Sequence, residues 1–210
     1  MGPASRHQCL LYESAPSQHL PTLAVVMRRK IQQNHRCLYL NSVPMVAGMQ
    51  SYLAAAGLDV ATEIAKGSLV LTSEQGHLVD GHFDIDRMMG TLGDALSQAL
   101  LDGYAGLWAT GDMTWEMGPD KDFSKLMQYE WRLEEFLQMH CEMGGICQYH
   151  AKAMPKEALR TGLVSHKSLF INETLSLVNP YYVEKDTFTD AVRGLELDSA
   201  ALRLCQSGSL

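Results

Sequence analysis

Residues 7–42, "HQCLLYESAPSQHLPTLAVVMRRKIQQNHRCLYLNS", contain the pattern that decides the fold. A short apolar run at 9–12 precedes a helical stretch over 17–34, and a second apolar run follows at 36–42, where the helical periodicity stops. This pattern predicts a strand, a helix and a second strand. Because the helix crosses over the sheet between them, the two strands are expected to run parallel.

The same alternation continues along the chain. Further strands are predicted at 67–73, 105–111 and 144–150. The helices between them are predicted from Pro44 to about Gly57, from Asp84 to about Gly103, and over 122–141. A helix near Pro155 and one or two short strands within 168–182 complete the series. The sequence therefore predicts an α/β fold with a mainly parallel sheet and helices on both of its faces.

Three segments fall outside this alternation. Residues 73–84 and 113–122 are predicted to be loops because they are rich in Gly and polar residues. Residues 6–183 are expected to form one domain, and 184–210 a helical tail or linker with Phe188, Val192, Leu195 and Leu202 along one face. A peripheral helix, a homodimer contact and a connection to a partner all remain open for this tail.

The composition bounds the classes of function. The chain has 210 residues with 46% hydrophobic and 20% charged side chains, which are values of one globular domain. A formal net charge of -7 argues against a direct nucleic-acid partner, since such binding depends on clustered Lys and Arg. No apolar run suits a membrane span or a signal peptide, so we expect a cytoplasmic protein. The five scattered cysteines are expected to be free thiols.

The end of the fourth predicted strand offers candidate binding residues. In "GLWATGDMTWEM", residues 106–117, Asp112 and Trp115 come directly after the apolar run, where ligands of open α/β sheets bind. Alternatively, Asp112 caps a turn and Trp115 covers the sheet edge. The chain has no G-x-x-x-x-G-K-[ST] phosphate loop, so no nucleotide cofactor is expected.

The first and fifth predicted strands offer candidate metal ligands. Strand geometry places His7 and Cys9 on one face, and it places Cys147 and Tyr149 together on one face. Cys9 and Cys147 could therefore face one another. Nitrogen ligands for zinc or another transition metal are available from His7, His150 and His166. Alternatively, the cysteines are buried as small apolar side chains.

The long predicted helix carries Glu130 and Glu134 on one face. A solvated acidic stripe would explain this spacing. However, Tyr129 and Trp131 lie beside Glu130, and aromatic walls with one or two carboxylates also suit a pocket for a small organic ligand. Both interpretations remain open.

The order of several motifs resembles one family. "HQCLLYES", "GSLVLTS", "GDMTW", "YEWRLEEF" and "CQYH" are similar, over residues 6–183, to the MEDS domain, a sensory domain of methanogens and methylotrophs. The resemblance implies a RecA/KaiC-like α/β fold that lacks the phosphate loop. It also implies a sensor of a small organic compound, with halogenated methanes among the ligands considered for the family. Such domains are often joined to a DNA-binding helix-turn-helix or to a histidine kinase.

The family motifs can be carried over position by position. They fall on His7, Cys9, Tyr12, Asp84, Asp112, Met113, Trp115, Tyr129, Glu130, Cys147 and Tyr149. One departure is His150, where the resemblance implies a carboxylate.

From these residues we predict a non-enzymatic sensor of a small organic molecule. It would act through a histidine kinase or a transcription regulator. Its crevice would be lined by His7, Cys9, Tyr12, Asp112, Trp115, Tyr129, Glu130, Cys147 and Tyr149. The candidate metal ligands are Cys9, Cys147, His7 and His150. Two alternatives are a metal- or thiol-dependent enzyme that uses the same Cys and His groups, and a non-catalytic ATPase-like scaffold.

Overall fold

The computed structural model describes residues 6–185 and 194–207 of the chain. These residues contain nine strands: β1 (His7–Tyr12), β2 (His35–Leu40), β3 (Leu69–Thr72), β4 (Leu78–Val79), β5 (His82–Phe83), β6 (Gly106–Asp112), β7 (Met143–His150), β8 (Ser168–Asn172) and β9 (Leu175–Val178). The α-helices of the same residues are α1 (Leu20–Gln32), α2 (Val43–Ala55), α3 (Val60–Lys66), α4 (Ile85–Leu101), α5 (Met113–Glu116), α6 (Leu126–Met139), α7 (Lys156–Ser165) and α8 (Gly194–Ser207).

Seven of these strands form the central sheet, in the order β3-β2-β6-β7-β1-β8-β9. Every neighbouring pair is parallel except β8 and β9, which form an antiparallel hairpin at one edge. The predicted α/β fold with a mainly parallel sheet is confirmed. The order places β1 between β7 and β8, so segments that are far apart in sequence lie side by side.

Helices cover both faces of the sheet. On one face, Leu23 and Met27 of α1 pack with Leu53 of α2 against the sheet. On the other face, α4, α6, α7 and α8 contribute to the larger core. Side chains of β1 alternate between the two cores. Cys9 belongs to the core under α4, α6, α7 and α8, and Tyr12 belongs to the core under α1 and α2.

Local signals fix where several helices begin. The side chain of Asp84 accepts a hydrogen bond of 2.9 Å from the backbone N–H of Arg87 and caps α4, so the predicted start of this helix at Asp84 is confirmed. Asp112 caps α5 in the same way by accepting from the N–H of Trp115. Asp112 is therefore a capping residue, as the alternative interpretation predicted.

Three short elements differ from the sequence prediction. The predicted loop at 73–84 contains the β4–β5 hairpin, whose turn is Asp80-Gly81, with φ of 51° and 82°. An Asp-Gly pair favours this kind of hairpin turn, because both residues tolerate positive φ. Asp112 nucleates α5 inside the loop predicted at 113–122. Asp59 caps α3 and thereby starts a separate helix after α2.

The C-terminal segment contains α8, which packs against α7 and β1. Its buried side chains include Leu197, Ala200 and Cys205, whereas Leu202 of the predicted apolar face is exposed. Phe188 and Val192, which the sequence placed on that face, lie outside the described residues. In the part of the chain that the structure describes, no helix is both long enough and apolar enough to span a membrane.

Candidate functional site

The residues predicted to bind a ligand form two groups rather than one crevice. His7, Cys9, Tyr129, Glu130, Cys147 and Tyr149 lie on the sheet face that α6 and α7 cover. The others, Tyr12, Asp112 and Trp115, lie at the carboxyl ends of β1 and β6. The alternation of β1 separates the groups, because Cys9 and Tyr12 point to opposite faces.

The first group begins with the register of β1 and β7. Cys9 is the Cα partner of Cys147, and both side chains belong to the same core, as the sequence predicted. His7 pairs with Gly145. A Cβ atom at Gly145 would lie 2.1 Å from the backbone carbonyl oxygen of Ala109, so only glycine allows β7 to approach β6 this closely here.

Four buried side chains converge at this point. Their donor atoms all lie within 4.8 Å of one another, in His7, Glu130, Cys147 and His166. Residue exposures are 1%, 0%, 6% and 0% in that order. β1, α6, β7 and the residue that follows α7 each supply one of them. A His, Glu, Cys, His set is a donor combination that could hold a metal ion.

Four of the six separations between donor atoms are close to those around a small metal ion, and the whole set lies within 4.8 Å. His7 Nε2 and Glu130 Oε2 are 3.2 Å apart, and His166 Nε2 is 3.5 Å from the same oxygen. Cys147 Sγ lies 3.5 Å from His7 Nε2 and 3.8 Å from Glu130 Oε2. In a tetrahedral zinc site, bond lengths of about 2.0–2.3 Å separate the ligand atoms by roughly 3.3–3.7 Å.

A second layer of contacts orients these donors. His7 Nδ1 lies 3.1 Å from Glu134 Oε2, and His166 Nδ1 lies 2.8 Å from the carbonyl of Gly162. The hydroxyl of Tyr149 donates to Glu130 Oε1. Each contact occupies the far atom of its partner and leaves the near atom, Nε2 or Oε2, facing the group. Such outer partners are characteristic of metal-ligating His and carboxylates.

Positive and negative charges balance around His7 and the two buried glutamates of α6 when no metal is bound. Burial lowers the pKa of His7, but its hydrogen bonds to Glu130 and Glu134 outweigh burial, so the pKa lies above its ordinary value. The pKa of Glu134 is lowered to about 2: burial raises it, but hydrogen bonds from His7 and Lys167 outweigh that effect. Lys167 Nζ lies 2.9 Å from Glu134. Two cations thus face two carboxylates, which is why these glutamates are tolerated in the interior.

The other two donors are uncharged without a metal. Burial chiefly lowers the pKa of His166, to about 3, and the nearby His7 acts in the same direction. Burial and the charge of Glu130 raise the pKa of the Cys147 thiol well above its ordinary value. A bound metal ion would reverse the preference of Cys147, because a coordinating thiol is deprotonated.

Two predicted metal ligands lie outside the four-donor group. His150 stacks on Tyr12, with ring centroids 4.9 Å apart and planes inclined by 4°. That contact is at the carboxyl end of β1, away from the face of Cys147. Cys9 is a buried neighbour of Cys147, but it is not one of the four donors. The sequence named His166 as one of three nitrogen ligands and Glu130 only as a pocket residue.

The buried carboxylates of α6 answer one open question. Glu130 is fully buried and Glu134 is 6% exposed, so the interpretation as a solvated acidic stripe is wrong for both. Tyr129 and Leu133, which precede the two glutamates directly in the sequence, are buried as well, so these glutamates lie on the buried side of α6.

The second group borders a groove of about 430 Å³ at the carboxyl ends of the strands. Asn41 of the β2–α2 turn, Asp112, Trp115 and His150 contribute to its walls. Asp112 accepts a hydrogen bond of 2.9 Å from the hydroxyl of Tyr12, and burial raises its pKa. The polar groups of Asp112 are therefore satisfied within the protein.

Comparison with protein-family models gives one match. The model described as "MEthanogen/methylotroph, DcmR Sensory domain", MEDS, matches residues 6–167. The chain belongs to the MEDS family. No curated protein is significantly similar to the chain. The matched segment begins just before His7 and ends just after His166, so it spans all four donor residues of this MEDS domain. Membership implies a role in sensing or signalling.

Proposed function

We propose that this MEDS domain senses a small organic molecule and that a transition-metal ion of the zinc type, held by His7, Glu130, Cys147 and His166, forms part of its sensing site. The output would pass to a histidine kinase or a transcription regulator. The observation that carries the proposal is the arrangement of four buried donors at the spacing of metal ligands.

The environment of His166 gives the strongest support. Its Nδ1 donates to the carbonyl of Gly162, so its Nε2 carries a lone pair. That lone pair faces Glu130 Oε2 at 3.5 Å and has no hydrogen-bond partner among the described residues. Two electron-rich atoms in the protein interior repel each other without a cation or a proton between them. A metal ion bound to both atoms removes the repulsion.

The donor types favour zinc over harder cations. Two imidazoles, one thiolate and one carboxylate are typical ligands of zinc and of its substitute cobalt. Magnesium and calcium prefer oxygen ligands only. Four protein donors also fill a tetrahedral coordination sphere, which is typical of non-catalytic zinc sites. This supports a sensor rather than an enzyme.

A metal here would couple distant parts of the domain. The donors come from strands β1 and β7, from helix α6 and from the junction between α7 and β8. A ligand that changes the coordination of the metal would shift these elements relative to one another. The segment at 113–122 and the chain after Tyr182 are the parts through which we expect a partner to read that change.

The metal content of the purified protein tests this proposal. We expect about one zinc ion per chain by elemental analysis and native mass spectrometry. In Cys147→Ala and His166→Ala the bound zinc should fall to a small fraction of this value. Glu134→Gln should weaken zinc binding by about tenfold, because it removes the negative charge of the group that accepts from His7.

Cys9→Ala is the matched control. Cys9 is buried, pairs directly with Cys147 and is not a donor, so this variant should retain its zinc. Absence of stoichiometric metal from the wild-type chain, both as purified and after zinc is added, would overturn the proposal. Equal losses of zinc in Cys9→Ala and Cys147→Ala would also overturn it.

A further inference from the structure

We infer that a pocket between helices α7 and α8 and the residues that follow β1 and β7 binds a small organic anion, with its apolar body inside the pocket and its anionic group at Lys156. This pocket is separate from the four-donor group. The inference rests on the proposed sensory function for its role, and it adds the class of molecule that the domain binds.

The pocket has a volume of about 320 Å³. Sites for small organic molecules in proteins usually have volumes from about 300 Å³ upward. One water-sized group takes up about 30 Å³, so the pocket has room for roughly ten non-hydrogen atoms. A small organic molecule can therefore occupy it.

The walls of the pocket are largely apolar. The buried side chains among them are Met154, Leu159, Ala201 and Cys205, and the exposed Leu202 of α8 lines the pocket as well. Removal of such surface from water by an alkyl or aromatic group is favourable in proportion to the area covered. The pocket therefore suits a molecule whose larger part is apolar.

The pairing of charges at the pocket favours an anion over a cation. Lys156 Nζ lies 3.6 Å from Asp198, but both oxygens of Asp198 already accept from Arg160, at 2.8 and 3.0 Å. Arg160 contacts its other carboxylate partner, Glu157, only at 4.0 Å. The charge of Asp198 is thus neutralised chiefly by Arg160, and Lys156 can pair with the anionic group of a ligand.

Two further features of the pocket act in the same direction. Lys152 also lines it and lies 3.8 Å from Glu13, which is a long contact between two exposed side chains. Helix α7 begins at Lys156, and no described side chain caps its first backbone N–H groups. The N-terminal end of a helix stabilises a nearby negative charge. A carboxylate is therefore the group that we expect here.

The pocket connects α8 with the four-donor group through α7. Lys156 and Leu159 lie at the beginning of α7, and His166 directly follows the last residue of this ten-residue helix. Ala201 and Leu202 belong to α8. A bound molecule would contact both helices and favour the arrangement in which α8 is docked on α7.

Binding of three probes tests the class of ligand. Octanoate has the expected apolar body and carboxylate, butanoate has a shorter body, and 1-octanol has the same chain length without the charge. By isothermal titration calorimetry at neutral pH, we expect one octanoate per chain with a Kd below about 1 mM. Butanoate should bind at least about tenfold more weakly, because it buries four fewer methylene groups. Equal affinities for octanoate and butanoate would overturn the role of the apolar walls.

NMR of protein with methyl-labelled methionine tests the location. The signal of Met154 in the pocket wall should shift saturably with octanoate, whereas the signal of Met49, in the core under α1 and α2, should not. Absence of saturable octanoate binding, or a shift of Met49 without one of Met154, would overturn the pocket as the site.

A variant of Lys156 tests the recognising group. Lys156→Met should weaken octanoate binding by about fivefold and leave 1-octanol binding within about twofold of wild type, because only octanoate forms the ion pair. Lys66→Met is the matched control: Lys66 is an exposed lysine that pairs with Glu63 on α3, outside the pocket, so this variant should bind both probes like wild type. Equal losses for octanoate and 1-octanol in Lys156→Met would overturn the role of Lys156.

Zinc content, measured in the same samples, separates this inference from the metal proposal. A chain that holds zinc but binds no octanoate overturns the pocket inference alone. A chain that binds octanoate but takes up no zinc overturns the metal proposal alone.

Discussion

Gly162 of α7 determines how closely the aromatic ring of Tyr149 can approach this helix. A Cβ atom at position 162 would lie 2.7–2.9 Å from atoms of that ring. The same ring carries the hydroxyl that donates to Glu130. A single methyl group at Gly162 is therefore expected to disturb both the packing of the core and the orientation of a candidate metal ligand.

We predict that Gly162→Ala lowers the free energy of unfolding by about 1–3 kcal/mol, the usual cost of overpacking a core. It should also weaken zinc binding, because a displaced Tyr149 no longer orients Glu130. The matched control is Gly90→Ala. Gly90 is exposed on α4 with no atom within 4 Å of its added Cβ, so alanine should stabilise the protein by about 0.5–1 kcal/mol. Urea unfolding measures both changes, and equal effects of the two variants would contradict the argument.

Single residues of the candidate site differ in how well the sequence predicts them. The sequence placed His7 with Cys9, and Cys147 with Tyr149, correctly on one face of their own strands, because the alternation of a strand requires no knowledge of the tertiary structure. Where α6 docks on the sheet is a tertiary property, so the contact between Glu130 and His7 could not be predicted from spacing. His166 follows a helix end, and its orientation depends on the carbonyl of Gly162.

At the scale of elements, α8 is held to α7 by ion pairs of Asp198 with Lys156 and Arg160, in addition to apolar contacts. Arg160 donates from Nε and Nη2 to the two oxygens of Asp198, at 2.8 and 3.0 Å. Both side chains are partly exposed, and a bidentate geometry makes this the kind of surface pair that contributes measurably.

We predict that Arg160→Met increases amide hydrogen exchange in α8 but not in β1 or β7, at a cost of about 0.5–1 kcal/mol. Arg132→Met is the comparison, because Arg132 pairs with the exposed Asp86 between α6 and α4. That variant should leave exchange in α8 unchanged. Exchange in α8 that rises equally in both variants would show that the Arg160 pair has no special role in docking this helix.

Elements of different length were predicted with different success. The long alternating strands and helices, such as β7 and α4, were found because apolar periodicity accumulates over many residues. The helices α3 and α5 and the β4–β5 hairpin are too short for that, and local capping and turn residues alone specify them. The Asp80-Gly81 pair indicates a hairpin turn. A loop was instead predicted here from the sequence, because the segment is rich in Gly and polar residues.

At the scale of the whole molecule, the crossover topology explains why the predicted crevice became two groups. In the strand order, β7 lies between β6 and β1, which brings Cys147 beside Cys9. Because the three strands are parallel, their carboxyl ends lie at the same edge of the sheet. The sequence shows which strands exist but not their order in the sheet. The candidate metal donors therefore lie on the face that α6 and α7 cover, whereas Tyr12 and Asp112 lie at the carboxyl ends of their strands.

Removal of the metal should change the stability of the entire domain. The four donors span the chain from His7 to His166, and an ion that binds only the folded state stabilises it by about 2.7 kcal/mol when its free concentration is 100 times its Kd. We therefore predict that a chelator lowers the unfolding midpoint of the wild-type protein and that added zinc restores it. Cys9→Ala should show the same response, whereas Cys147→Ala should unfold at one midpoint with or without chelator. Thermal unfolding with parallel zinc analysis measures this. A wild-type midpoint that stays constant while zinc is lost would show that the ion does not link these strands and helices.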